Sequence, residues 1–155
     1  MNLKLQWDIK SFDALSNHEL YELLRLRNEV FIVEQNCIFL DLDGKDKICH
    51  HLLGTENGVL MAYTRIVPPG IAYELPSIGR VLVSPLGRGK MFGIELMEKS
   101  IASLEEIYGK SAIRIGAQLY LKKFYESFRF EQSGEIYEED GIDHIEMTRL
   151  IDFVE

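Results

Sequence analysis

Residues 77 to 97 read SIGRVLVSPLGRGKMFGIELM, an apolar strand that runs into a basic, glycine-rich turn and then directly into an amphipathic helix. The turn holds Arg88, Gly89, Lys90, Met91, Phe92 and Gly93. A helix leaves its first N–H groups unpaired and carries partial positive charge at that end. Glycines that admit a phosphate there, flanked by Arg88 and Lys90, therefore make an anion site. The chemistry this spacing supports is the holding of a phosphate-bearing ligand.

The residue types narrow the ligand. A P-loop needs Ser or Thr after the lysine to hold magnesium, and Met91 follows Lys90. A dinucleotide fingerprint needs a third glycine where Phe92 stands, and no acidic residue closes a βαβ unit about 20 residues on. The run from Arg88 to Gly93 instead resembles the acyl-CoA loop of the GNAT N-acetyltransferases, Gln/Arg-x-x-Gly-x-Gly/Ala, with Met91 in place of the first glycine of the pair. A second block, GAQLYLKKFYESFRF, resembles that family's other half-motif. Gln118, Phe124, Tyr125 and Phe130 match, while Arg129 replaces the usual glycine. With LRNEVFIVEQNC and the acidic LDLDGKD, the resemblance extends over nearly the whole chain and points to the ElaA-like branch.

The resemblance implies an α/β fold with a mixed, mostly antiparallel twisted sheet, splayed at strands 4 and 5, with helices on both faces. It implies acetyl-CoA as co-substrate and an amine, on a small molecule or a peptide, as acceptor. The main chain of Leu82 and Val83 would hold the pantetheine arm, residues 88–93 the pyrophosphate, and Gln118 the amide-rich arm. Tyr125 matches the family's candidate acid, since a phenol with a pKa near 10 is close enough to a thiol to reprotonate the leaving sulfur. Glu34, at the end of the first helix, is the candidate base, with Asp41, Asp43 and His50 as alternatives. Met91 is tolerable if it lies in the first helical turn with negative φ. Two rival classes remain: a non-catalytic acyl-CoA sensor or interaction module, and a nucleotide-binding protein.

Composition sets outer bounds. At 155 residues with 46% hydrophobic content, the chain reads as one globular domain, 1–155, able to bury a substantial core. The formal net charge of −8 argues against nucleic-acid binding, whereas Arg80, Arg88 and Lys90 concentrate positive charge at the loop. The acidic remainder, Asp41, Asp43 and Asp46 above all, favours a cationic acceptor. Two cysteines make no disulfide framework, and neither an apolar signal core nor a run of about 18 apolar residues is present. A soluble cytoplasmic protein is expected, with no membrane partner and with a homodimer left open. Neither 41–46, whose glycine comes too early for a calcium loop, nor Cys49-His50-His51 has metal-site spacing, so no metal is expected.

The elements that must position these residues follow from periodicity. Leu3, Leu5, Trp7 and Ile9 alternate as a half-buried strand. Ser16 and Glu19 form a capping box ahead of a stripe of Leu20, Leu23, Leu24, Arg27, Val30 and Phe31. Residues 37–47 read as an exposed loop. Asn57-Gly58 marks a hairpin, and Pro68-Pro69-Gly70 breaks its second strand. A strand over 78–83 precedes the loop, and Ile94, Met97, Ile101 and Leu104 give the following helix its buried stripe, with Glu95 and Lys99 outside. A strand over 113–117, a short helix over 119–128 and a hairpin of 133–139 with 144–151 complete the order β, α, β, β, β, α, β, α, β, β.

Overall fold

Ser16 opens the first helix of the computed structural model, which describes residues 5–151. Its Oγ accepts from Glu19 N at 3.0 Å, and Glu19 Oε1 accepts from Ser16 N at 2.9 Å, the reciprocal cap that the sequence predicts. Helix α1 (Asn17–Arg27) then widens into a π-helical segment, Asn28–Glu34. Strand β1 (Gln6–Ser11) precedes it, and Leu3 lies outside the described residues.

Strands β2 (His50–Glu56) and β3 (Val59–Val67) meet at Asn57-Gly58, whose φ values of 51° and 80° are those a tight hairpin turn demands. After the Pro68-Pro69 break come β4 (Ser77–Val83), α2 (Phe92–Tyr108) and β5 (Ile113–Gln118). Helix α3 (Lys122–Glu126) and the hairpin β6 (Phe130–Glu139) and β7 (Ile142–Arg149) close the chain, turning at Asp140-Gly141. The element order is the predicted one. The helix expected over 119–128 is a 3-10 turn, Leu119–Leu121, followed by α3.

Two antiparallel sheets result, ordered β1-β2-β3-β4 and β5-β7-β6. They meet at β4 and β5, which share no ladder but stay in contact. Arg114 N donates to Pro76 O at 3.1 Å, so the two strands start together and run parallel. Toward their C-terminal ends they part.

Alternation along the central strands assigns the two faces. Leu52 and Ala62 point to one side and pack with Phe92 and Leu96 of α2, while Val81 and Val83 lie against the same cluster. Leu53, Tyr63 and Leu82 point to the other and pack with Leu23, Leu26 and Val30. On α2 the buried positions are Phe92, Leu96, Met97, Ser100 and Leu104, whereas Ile94 is 39% exposed, so the inward stripe is rotated from the predicted one. Phe92, in the first turn, sets that rotation because its ring is fully enclosed. Each fully buried apolar side chain of this kind contributes about 1.5–3 kcal/mol. Glu95 is not on a purely solvated side either, since its carboxylate accepts from Trp7 Nε1 at 2.6 Å.

The 37–47 segment departs furthest from expectation. Its aspartates turn inward to buried arginines. Arg27, fully enclosed, donates to Asp41 Oδ2 at 2.9 Å and to Asp46 Oδ1 at 2.7 Å. Arg65 makes a two-pronged pair with Asp43, at 2.8 Å for each prong, and reaches Asp46 at 3.1 Å. Arg80 donates to Asp41 Oδ1 and to its carbonyl, both at 2.8 Å. Burial by itself would raise the pKa of Asp43 and Asp46, but the hydrogen bonds and charge of the arginines outweigh it and hold both below the usual aspartate range.

A carboxylate whose folded pKa is depressed stabilises the fold above its unfolded pKa and loses that contribution as pH falls. Urea unfolding of the wild type should therefore show stability falling steadily once the pH drops below about 4, the ordinary aspartate range. Asp46→Ala should cost about 3–5 kcal/mol at neutral pH, because it takes a buried carboxylate partner from both Arg27 and Arg65 and leaves each with one aspartate, and should flatten that acid dependence.

Candidate functional site

The parting of β4 and β5 opens a cavity of about 840 Å3 that includes Leu82, Val83, Arg88, Gly93, Gln118 and Tyr125 in its lining. It thus gathers residues from both halves of the sequence motif. Glu34 also lines it. The edge of β4 that faces β5 has no strand ladder there, so its main-chain groups are free to pair an extended, amide-bearing chain.

At the mouth, Ser84 Oγ accepts from Leu86 N and closes a 3-10 turn, Pro85–Gly87, that aims the following residues at the start of α2. Gly89 has φ 81° and Met91 φ 64° with ψ 20°. Met91 is the residue before α2 and gives the first turn no side-chain cap, so the helix presents bare N–H groups at its N-terminus. The expectation that Met91 has negative φ is corrected. It holds the left-handed conformation that favours glycine, with its side chain 72% exposed. Arg129, the second departure from the motif, has φ 69° and is in the same position. Both substitutions keep the backbone that glycine would provide.

The positive charge at the loop is counterbalanced. Arg88 pairs with Glu34 through two hydrogen bonds, of 2.7 and 2.9 Å, that engage both carboxylate oxygens. Lys90 Nζ lies 3.5 Å from Glu56 and over the Phe92 ring. Arg80 does not belong to this cluster. A bulge opposite Thr64 puts Arg80 at φ 49° and turns its side chain to Asp41 and Asp43.

Tyr125 is 5% exposed and meets Phe124 and Phe130 edge to face, so it is a packing residue as well as a wall of the cavity. Burial pushes its phenol above the ordinary tyrosine range, which keeps it protonated and able to donate. Gln118 faces Gln35 across the cleft at 3.4–3.5 Å.

The alternative bases fare differently from Glu34. Asp41 and Asp43 are engaged by arginines, as above, and His50 lies outside the cavity lining, against Tyr108. His51 is sealed in the core, its Nε2 donating to Asp46 O and its Nδ1 accepting from Tyr63 Oη. Nor do the 41–46 carboxylates form an exposed acidic surface for a cationic acceptor, because they neutralise Arg27, Arg65 and Arg80. Among the described residues no three His, Cys, Asp or Glu are grouped to hold a metal, and no helix is long and apolar enough to cross a membrane. The sequence reading missed Tyr73, Tyr137 and His144, which also line the cavity. The alternation of aromatic and polar residues in the last hairpin was a signal for Tyr137 and His144, whereas Tyr73 lies in the connection before β4, which has no periodicity to mark it.

A strand splayed from its parallel neighbour, an uncapped helix start beside it and a tyrosine across the gap define an acyltransferase of the GNAT type. Comparison with known proteins agrees. The family model described as acetyltransferase (GNAT) domain matches residues 43–151. The chain is 42% identical over 149 residues to protein ElaA of Escherichia coli K12, covering 95% of this chain and 97% of that one. It is similar to the crystal structure of E. coli ElaA, with a TM-score of 0.87 at 41% identity over 94% of this chain and 99% of the other. It is also similar to an acyl-CoA N-acyltransferase from Pseudomonas aeruginosa, with a TM-score of 0.89 at 38% identity and the same coverage. The chain belongs to the GNAT acetyltransferase family, with ElaA proteins among its relatives.

Met91→Gly relieves a left-handed side chain that packs against little, at the cost of a more flexible unfolded chain. A net gain of roughly 0.5–1 kcal/mol in denaturant unfolding is expected.

Proposed function

We propose that this protein is an N-acetyltransferase that moves the acetyl group of acetyl-CoA to an amine by direct attack, with no covalent enzyme intermediate. The observation that carries the reading is the continuity of one cavity from the uncapped N-terminus of α2, along the unladdered edge of β4, to Tyr125. In this reading residues 88–93 hold the pyrophosphate by main-chain N–H groups, with Arg88 and Lys90 exchanging a carboxylate partner for phosphate. Leu82 and Val83 pair the pantetheine amides through their main chain, and Gln118 supplies a side-chain amide at the far end. Tyr125, protonated at neutral pH, donates to the departing thiolate. Glu34, once Arg88 turns to phosphate, is a free carboxylate at the cavity mouth.

The acceptor is an amine of a small molecule or a peptide, and a cytoplasmic location supplies the acetyl-CoA. The rival reading, an acyl-CoA sensor, drew on the departures at Met91 and Arg129. The left-handed backbone at both positions weakens it, because the loop geometry is retained. Release of thiol from acetyl-CoA against a panel of amines separates the two: a sensor binds and releases none.

Acetyl-CoA should raise the thermal midpoint in proportion to the logarithm of its concentration, while ATP and NAD at equal concentration should shift it far less. Equal shifts with all three would remove the acyl-CoA assignment.

Tyr125→Phe deletes one hydroxyl and little volume. Steady-state kinetics should show kcat lower by roughly 100-fold or more with acetyl-CoA Kd unchanged. Wild-type kcat in a folded variant would show that Tyr125 only packs.

A further inference from the structure

The last hairpin carries two side chains, Tyr137 and His144, that the family motifs leave without a role. Gln118 of β5, His144 of β7 and Tyr137 of β6 stand opposite one another in register, so their side chains share one face of the sheet. Gly116, two residues before Gln118, is on that face too. A Cβ there would sit 2.5 Å from Tyr137 Oη and 2.9 Å from Tyr73 Oη, so glycine is what lets both hydroxyls cross the strand. Ile113, Ile115 and Ala117 point the opposite way and pack in the same cluster as Met97 and Tyr125. The cavity therefore passes through the gap between β4 and β5, with Tyr125 on the α2 side and the His144 row on the other.

His144 is built for one protonic role. Its Nδ1 lies 2.8 Å from Ile142 O, and a carbonyl only accepts, so Nδ1 carries the hydrogen. In the neutral ring the lone pair is then on Nε2. The nearest carboxylate to Nε2 is that of Glu139 at 3.8 Å, and Glu139 is 60% exposed while His144 is 12% exposed. The imidazole stacks on Tyr137 at 5.6 Å between centroids, an electron-rich face against which an imidazolium can rest. Facing groups from the other elements are Tyr73, Gln118 and Asp140, and the Asp140 carbonyl accepts from the Cys37 thiol. Both tyrosines are held protonated by burial first, and then by the neighbouring Tyr137 in the case of Tyr73 and by Glu139 in the case of Tyr137.

Resting on the transferase reading above, we propose that His144 Nε2 is the base that deprotonates the acceptor ammonium, in a subsite walled by Tyr137 and Tyr73. The ammonium gives one proton to Nε2, and its freed lone pair forms the C–N bond at the thioester carbonyl carbon. The C–S bond breaks, the sulfur takes a proton from Tyr125, and the nitrogen's surplus proton restores that phenol. The imidazolium passes its proton to solvent along exposed Glu139. Acid and base approach the thioester from opposite faces of the sheet, so each enters by its own side of the gap.

The test compares wild type, His144→Gln and His144→Ala in thiol release from acetyl-CoA with a panel of primary amines across pH, alongside acetyl-CoA Kd. His144→Gln should lose roughly 100-fold or more in kcat/KM at neutral pH with Kd unchanged, and its rate should climb with hydroxide. Millimolar imidazole should restore rate to His144→Ala, which a structural role would not allow. Nitrogen NMR of the wild type, which needs no variant to fold, should find His144 protonated at Nδ1. Wild-type kcat/KM in the variants, no rescue, or an Nε2–H tautomer would overturn the assignment. A wild type that binds acetyl-CoA but releases no thiol with any amine would instead overturn the transferase reading and the base with it.

Discussion

Everything functional in this molecule depends on two parallel strands that begin together and end apart. The Arg114–Pro76 hydrogen bond holds the starts of β4 and β5 in register, and beyond it no ladder closes the gap. Unpaired strand edges are costly when buried and therefore rare. Here the open edge is the cavity wall, where an extended amide chain can complete it. The bulge at Arg80 contributes by bending β4 just before Leu82 and Val83, and the Tyr73 and Tyr137 hydroxyls occupy the β5 side over Gly116.

The buried ionic network fixes what stands around the gap. Arg27 comes from α1, Arg65 from β3 and Arg80 from β4, and three aspartates of one connecting segment join them. Taking six charges largely out of water is unfavourable unless every one is paired with good geometry, and that requirement specifies the path of the 41–46 segment closely. The residues just before it, Phe39 and Leu40, line the cavity, and the Asp43 carboxylate that joins them there is held by Arg65. The net charge of −8 resides elsewhere.

Left-handed residues recur where the chain turns toward the site: Arg80, Gly89, Met91 and Arg129. Three of these four carry side chains and therefore hold a conformation that disfavours them. Their persistence indicates that surrounding packing, notably Phe92 under the loop and Phe130 after Arg129, over-determines the backbone. A motif that lacks its usual glycine can in this way keep the shape that the glycine served.

The sequence by itself determined the order of elements, the capping box at Ser16, both hairpin turns, the glycine-containing turn ahead of α2 and the family. These are local in origin: caps, turns and periodicity act over a few residues, and the two motif blocks carry their own spacing. It did not determine the rotation of α2, which Phe92 sets by packing, nor the fate of Asp41, Asp43 and Asp46, whose arginine partners come from distant strands and a helix. It could not reveal that Arg88 of the loop meets Glu34 at the end of the first helical segment, which packing brings together, or that His144 lies across from Gln118, which strand pairing does. Long-range charge pairing and sheet register depend on chain closure over many residues, and only the tertiary structure decides them.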